Sequence, residues 1–124
     1  MEFKEVTSQD ETAISAYGDG GFRIGEQRSS GSILLTPKGY YPWTATDVSS
    51  ITLESLQRVI DQKSDIDILL IGMGETMVFL NKDLRAALEK INIPVDVMAT
   101  GAAARTYNIL LAEGRKVAAA LIAV

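Results

Sequence analysis

The sequence contains no cysteine and no histidine among its 124 residues. Without cysteine, disulfide bonds, thiolate metal sites and a cysteine nucleophile are excluded. Without histidine, the chain lacks the usual general base, the usual zinc ligand and every Ser-His-Asp arrangement. Asp, Glu, Lys and Tyr can still transfer protons, so catalysis stays open, although both absences favour a protein that is not an enzyme.

Basic charge is also scarce, because acidic residues outnumber basic ones 16 to 12 and no run of Lys or Arg occurs. A basic stripe is the usual footprint of nucleic-acid binding, so we expect no nucleic-acid partner. The longest apolar stretch, Val117 to Val124, is shorter than the ~20 residues that a membrane helix needs. Residues 1–6 resemble neither a secretion signal nor a transit peptide. The sequence therefore predicts a cytoplasmic protein without a transmembrane segment.

The length of the chain and its 47% hydrophobic content predict a single domain over residues 1–124. Within it we expect a polar lead-in at 1–18, a β section at 20–43 and a βαβ-type core at 52–124. The β section is predicted to be antiparallel. Its strands are expected at Phe22–Gln27, Ser32–Thr36 and Tyr40–Trp43, with turns at 27–31 and 37–39.

The periodicity changes after residue 52, where apolar residues recur at helical spacing between short apolar runs. This alternation is typical of a parallel sheet with right-handed crossovers, and it predicts an α/β fold. Strands are expected at 66–71, 95–99 and 117–123. Helices are expected at 53–62 after a cap at Thr52, at 82–91 after a cap at Asn81, and from a cap at Thr100 to Gly114.

A ligand site is predicted where two of these strands end, because open parallel sheets bind ligands beyond the carboxyl ends of their strands. Gly72, Met73 and Gly74 follow the first strand, and Thr100 and Gly101 follow the second. Glycines permit close approach to the backbone, and free N–H groups there can hold an anion. The alternative for the glycine loop is a tight strand-exit turn.

Arg105 falls in the first turn of the helix that follows the second strand. Positive charge is unfavourable there for the helix dipole but suits an anion. The alternatives are a solvated surface arginine and an ion pair with Glu75 or Asp96. A small anion is therefore a candidate ligand. The sequence predicts no cofactor and no metal. Asp65 and Asp67 lie near a strand start, at the end opposite the crevice, and no other metal-ligating residue converges on them.

The same helix carries a candidate partner surface at Asn108 and Ile109, on the side away from Tyr107 and its apolar neighbours. The alternatives are an isolated exposed side chain and coverage by the β section. A homodimer is a further expectation, because the apolar strand at 117–123 would need cover if it lay at a sheet edge.

Several motifs occur from Asp19 onward. They are Gly20-Gly21-Phe22, Gly31-Ser32 with Leu34-Leu35, Pro42-Trp43, Ile71-Gly72-Met73-Gly74, the block from Val97 to Asn108, Glu113-Gly114-Arg115, and Val117 to Ile122. Together these motifs resemble a small family of largely uncharacterised proteins that includes a mitochondrial NADH dehydrogenase assembly factor and an adipogenesis-associated cytosolic protein.

The resemblance implies a compact α/β domain with a mixed central sheet and no established enzymatic activity. In one mitochondrial branch of that family the role is to help a respiratory complex assemble through protein contacts. For this chain, the resemblance implies such a role only by analogy. Two hypotheses result. The first is a non-enzymatic interaction or assembly-factor-like protein with a protein partner. The second is a small-molecule protein, with or without enzymatic activity, that binds an anionic metabolite in the predicted crevice.

Overall fold

The computed structural model describes residues 12–124, and residues 1–11 of the predicted lead-in lie outside them. The described chain forms strands and helices in the following order. The strands are β1 (Ile14–Gly18), β2 (Gly21–Ile24), β3 (Gln27–Ser30), β4 (Ile33–Thr36), β5 (Gly39–Pro42), β6 (Ile68–Gly72), β7 (Val95–Met98) and β8 (Val117–Leu121). The α-helices are α1 (Gln57–Asp61), α2 (Lys82–Lys90) and α3 (Thr100–Ala112), with 3-10 helices at Val48–Ser50, Glu54–Leu56 and Lys63–Asp65.

The central sheet has five strands in the order β5-β4-β8-β6-β7. Strand β6 runs parallel to both β7 and β8, whereas β4 runs antiparallel to β5 and β8. The predicted α/β fold with a mixed sheet and a parallel βαβ core is therefore confirmed, and the strands predicted at 66–71, 95–99 and 117–123 share this sheet.

Apolar side chains cover both faces of the central sheet, because successive residues of a strand point to opposite sides. On one face, Leu69 and Ile71 of β6 pack in a cluster with Leu56, Val59, Leu84 and Leu88 from the segment around α1 and from α2. On the other face, Leu70 packs in a cluster with α3 and with the separate three-stranded sheet β1-β2-β3. Helix α3 thus contributes to the core between the two sheets.

The predicted β section differs from the structure in two places. Residues 14–18, expected in a polar lead-in, form β1 and pair with β2, and Ile14 is buried. Residues 27–30, expected in a turn, form β3 instead. The chain turns earlier, at Gly25, whose φ of +61° suits glycine, so Ile24 pairs with Gln27. Strand β3 is polar because it is an edge strand whose side chains are mostly exposed.

Strand β8 lies in the middle of the central sheet, paired with β4 on one side and β6 on the other. The condition on which the expected homodimer depended, a sheet-edge position for the C-terminal strand, is therefore not met. The wholly apolar composition of β8 reflects burial on both faces of the sheet.

The helix starts show which of the predicted caps form. The Asn81 side chain accepts hydrogen bonds from Asp83 N at 2.9 Å and Leu84 N at 3.1 Å at the start of α2. Thr52 Oγ1 accepts from Ser55 N at 3.0 Å, although the predicted helix at 53–62 is divided into a 3-10 turn and α1.

Within residues 12–124, no helix is both long enough and apolar enough to span a membrane.

Candidate functional site

The ends of β6 and β7 meet the start of α3 at a single junction, as predicted from the order of the elements. Thr100 N donates to Gly74 O at 2.8 Å, and Gly74 N donates back to Thr100 Oγ1 at 3.0 Å. Met73 N donates to Met98 O at 2.8 Å. The glycine loop and the start of α3 are therefore direct neighbours.

Thr100 does not cap α3, contrary to the prediction. The N-cap position belongs to Ala99, and no side chain caps the helix. The Thr100 hydroxyl instead donates to Ile122 O at 2.7 Å while it accepts from Gly74 N. This fully buried side chain connects β6, α3 and the residue after β8, so its role is to fix the junction.

Gly72 and Met73, two of the predicted ligand residues, are enclosed by the fold. A Cβ atom on Gly72 would lie 2.9 Å from both Leu121 Cδ2 and Thr100 Cα, and the Met73 side chain is only 4% exposed. Gly72 therefore allows β6 to pack closely against the start of α3, whereas Met73 packs in the cluster on the opposite face of the sheet, which includes Leu84 of α2.

Gly74, Gly101 and Arg105 line a common surface cavity of about 290 Å³, together with Tyr17 and Glu75. Tyr17 comes from β1 and lies directly over Gly101, since a Cβ there would stand 2.5 Å from the tyrosine hydroxyl. No sequence pattern indicates Tyr17 as a site residue, because it lies in the segment predicted to be a polar lead-in. A neighbouring cavity of about 360 Å³ between β1 and α3 shares Tyr17 and Arg105.

Hydrogen-bond donors are available in this crevice. Within residues 12–124, no acceptor is found for the N–H groups of Gly101 and Ala102 in the first turn of α3, nor an ion-pair partner for Arg105. The predicted alternative of a pair with Glu75 or Asp96 is therefore not seen in this part of the chain. Glu75 lines the same cavity and opposes an anion there, since like charges repel.

The candidate partner residues of α3 differ in exposure. The Asn108 side chain accepts a hydrogen bond from Ile14 N at 2.9 Å and donates one to Ile14 O at 2.7 Å. It therefore extends the hydrogen bonding of β1, as the neighbouring strand of a sheet would. Ile109 is 58% exposed and is the one of the two whose side chain faces solvent.

Tyr107 lies at the centre of the core between the sheets, as its helical spacing predicted. Its hydroxyl is bonded to Thr12 at the backbone oxygen (3.2 Å) and at the side chain (3.0 Å). Burial raises the pKa of Tyr107 to about 12, because a charged phenolate is unfavourable away from water. The phenol therefore stays protonated near neutral pH and has a structural role.

An apolar loop between β6 and α2 is the largest surface feature that the sequence did not predict. Phe79 is 80% exposed, Met77 49% and Val78 42%, whereas Leu80 beside them is buried. The one sequence signal for it is the run of four successive apolar residues from Met77 to Leu80, which shows no alternation or helical spacing. Next to the loop is a cavity of about 710 Å³, the Phe79 groove. Its lining includes Ile51, Leu53, Phe79, Asp83, Leu84 and Ala87.

Residues 14–122 match the profile of a protein family described as being of unknown function, DUF498/DUF598. An uncharacterized protein of Rhodobacter capsulatus is 39% identical over 109 residues, which cover 88% of this chain and 82% of that protein. The NADH dehydrogenase [ubiquinone] 1 alpha subcomplex assembly factor 3 of Xenopus tropicalis is 31% identical over 109 residues. That match covers 88% of this chain but only 60% of the assembly factor.

Solved structures agree with the observed fold. The crystal structure reported as an outer membrane protein from Bartonella henselae is 43% identical, with a TM-score of 0.87, and the match covers 94% of this chain and 98% of that one. A solution structure from Bordetella pertussis, reported as an Mth938-like domain, is 28% identical with a TM-score of 0.80, and covers 98% and 90% of the two chains.

Proposed function

This chain belongs to the DUF498/DUF598 family of proteins of unknown function, and we propose that it is a non-enzymatic interaction protein. In this proposal it acts through protein contacts, in the manner of an assembly factor. Its relatives named as assembly factors support a protein partner. The chain spans 60% to 64% of the length of those from Xenopus tropicalis and Danio rerio. Their complete activity is therefore not carried over.

The exposed apolar loop is the observation that carries this proposal. A phenylalanine that is 80% exposed beside exposed Met77 and Val78 leaves contiguous apolar surface in water. Single exposed apolar residues are ordinary, but a contiguous patch commonly marks an interaction site. Aromatic residues and methionine are also enriched at protein interfaces.

The test is affinity purification of the tagged chain from its source organism, followed by size-exclusion chromatography and quantitative mass spectrometry. We expect one protein to co-elute with the chain in a fixed ratio through both steps. A chain that elutes alone at its own mass, with no protein in constant ratio, would contradict the proposal.

A second candidate function is the binding of a small anionic metabolite in the crevice between Tyr17, Gly74 and Arg105. It is supported by the Gly101 and Ala102 N–H groups and the Arg105 guanidinium, which have no partner within the described chain. A hydrogen bond to a charged group contributes roughly 1.5–3 kcal/mol. These few donors therefore suggest binding in the millimolar to micromolar range.

Thermal melting in phosphate or sulfate tests this second function, because a ligand that binds only the folded state raises the melting temperature. We expect a rise beyond that in chloride at equal ionic strength, and we expect Arg105→Ala to lose this increment. Arg23→Ala, which removes an exposed arginine on β2, is the matched control and should keep it. Equal increments in wild type and Arg105→Ala would remove Arg105 from the site.

A further inference from the structure

The Phe79 groove has two walls of different structure. One wall is the segment that contributes Ile51 and Leu53, and the other is α2, which contributes Leu84 and Ala87. Phe79 stands at the end of the apolar loop beside this groove. Leu53 is 37% exposed, so both walls present apolar surface that a partner could bury.

The backbone around the groove restricts the form of its occupant. None of the described residues that line it belongs to a strand of either sheet. An extended peptide bound there would find no strand to pair with, and unpaired backbone groups are costly away from water. A helix satisfies its own backbone hydrogen bonds and can lay one apolar face into such a groove. The groove therefore favours a helix over a strand.

The charges around the groove restrict the occupant further. Asp83 is the charged residue among those described that line it. Asp47 and Glu54 adjoin the lining segment of the other wall. The cations Lys82 and Arg85 lie on α2, but neither lines the groove. Opposite charges at the rim of an interface favour association and specificity, so the carboxylate of Asp83 in the lining favours a basic partner.

We infer that the Phe79 groove receives an amphipathic helix of a partner protein, with its apolar face on Phe79 and Leu53 and with Lys or Arg beside that face. This inference rests on the proposed function, and it names the surface and the chemistry of the partner. An anionic membrane surface is a poorer occupant, because the carboxylates around the groove would repel its headgroups.

The probe is a synthetic, fluorescently labelled peptide of about 18 residues, which is long enough to form a helix. It carries Leu at helical spacing on one face and Lys elsewhere, and a twin peptide carries Glu in place of Lys. By fluorescence anisotropy we expect the Lys peptide to bind wild type at least roughly tenfold more tightly than the Glu peptide does.

Variants locate the binding. Phe79→Ser and Leu53→Ser should each weaken the Lys peptide roughly tenfold or more, the scale of loss expected for a central apolar contact. Tyr40→Ser is the matched control, since it removes from β5 a large side chain that is 36% exposed, close to the 37% of Leu53, and its affinity should equal that of wild type. Circular dichroism verifies that each variant keeps its fold.

Several outcomes overturn the inference: equal binding of the two peptides, no binding of either, or equal binding to wild type and Phe79→Ser. Binding to phosphatidylglycerol vesicles in place of the peptide assigns the groove to a membrane instead.

Purification of tagged Phe79→Ser and Leu53→Ser from the source organism separates the two proposals. A stoichiometric partner retained by both variants contradicts the groove but leaves the proposed function standing, whereas no partner for wild type contradicts the proposed function itself.

Discussion

Replacing Thr100 with valine should lower the free energy of unfolding by about 1–3 kcal/mol, the cost of leaving a buried polar group without its partner. Valine has nearly the shape of threonine but cannot donate to Ile122 O or accept from Gly74 N, both of which bond the Thr100 hydroxyl. Urea unfolding measures the loss, with the buried single tryptophan, Trp43, as the fluorescent probe.

Thr100→Ser is the matched control for this prediction. Serine keeps the hydroxyl and loses one methyl group, which costs about 0.8 kcal/mol when it is buried. The valine variant should therefore be the less stable of the two. If Thr100→Val were as stable as wild type, the hydrogen bonds at the junction would contribute nothing to the fold.

Gly72→Ala should also destabilise the protein by about 1–3 kcal/mol, the usual cost of adding a methyl group to a packed interior. Its new Cβ would lie 2.9 Å from the Thr100 backbone and 2.9 Å from the buried Leu121 side chain. The Thr100 backbone cannot move away without shifting α3 relative to β6, and the fully buried Leu121 side chain has little space for another rotamer.

Gly101→Ala provides the contrast, because the same mutation is made at the start of α3, directly after Thr100, in a different environment. The atom that its Cβ would meet is the hydroxyl of Tyr17, at 2.5 Å. That group is the end of a flexible side chain that is 41% exposed. Alanine also favours the helix over glycine by roughly 0.5–1 kcal/mol. We expect a stability close to that of wild type, and equal losses for the two glycine variants would refute the packing argument.

The central sheet was predictable because its strands carry continuous apolar runs, as in Leu69, Leu70 and Ile71, which a sheet covered on both faces requires. The start of α2 was predictable from Asn81, whose side chain makes the expected local bonds. Strand β3 was not predictable in this way. An exposed edge strand needs no apolar residue, so Gln27 and its neighbours look like a turn.

The sequence indicated where in the fold the candidate site lies, but not which side chains line it. The order of the elements places Gly74 beside Thr100, but a single sequence does not say that β1 lays Tyr17 on Gly101. That contact joins segments far apart in the chain, and no local pattern encodes it. Thr100 illustrates the same limit. A threonine before a helix usually caps it. The bond from Thr100 to Ile122 O depends instead on the position of β8 in the sheet, which no pattern near Thr100 indicates.

The central position of β8 bears on how the protein is synthesised. Its neighbour β4 is made long before it, since Ile33 pairs with Leu121, and pairings so distant in sequence form slowly. Until the ribosome has added Val117 to Leu121, the β4–β5 hairpin and the β6–β7 pair each have an open edge where β8 will pair. Unpaired apolar edges associate readily with other chains. The nascent chain is therefore prone to aggregation in the interval before β8 has been made and has joined the two halves of the sheet.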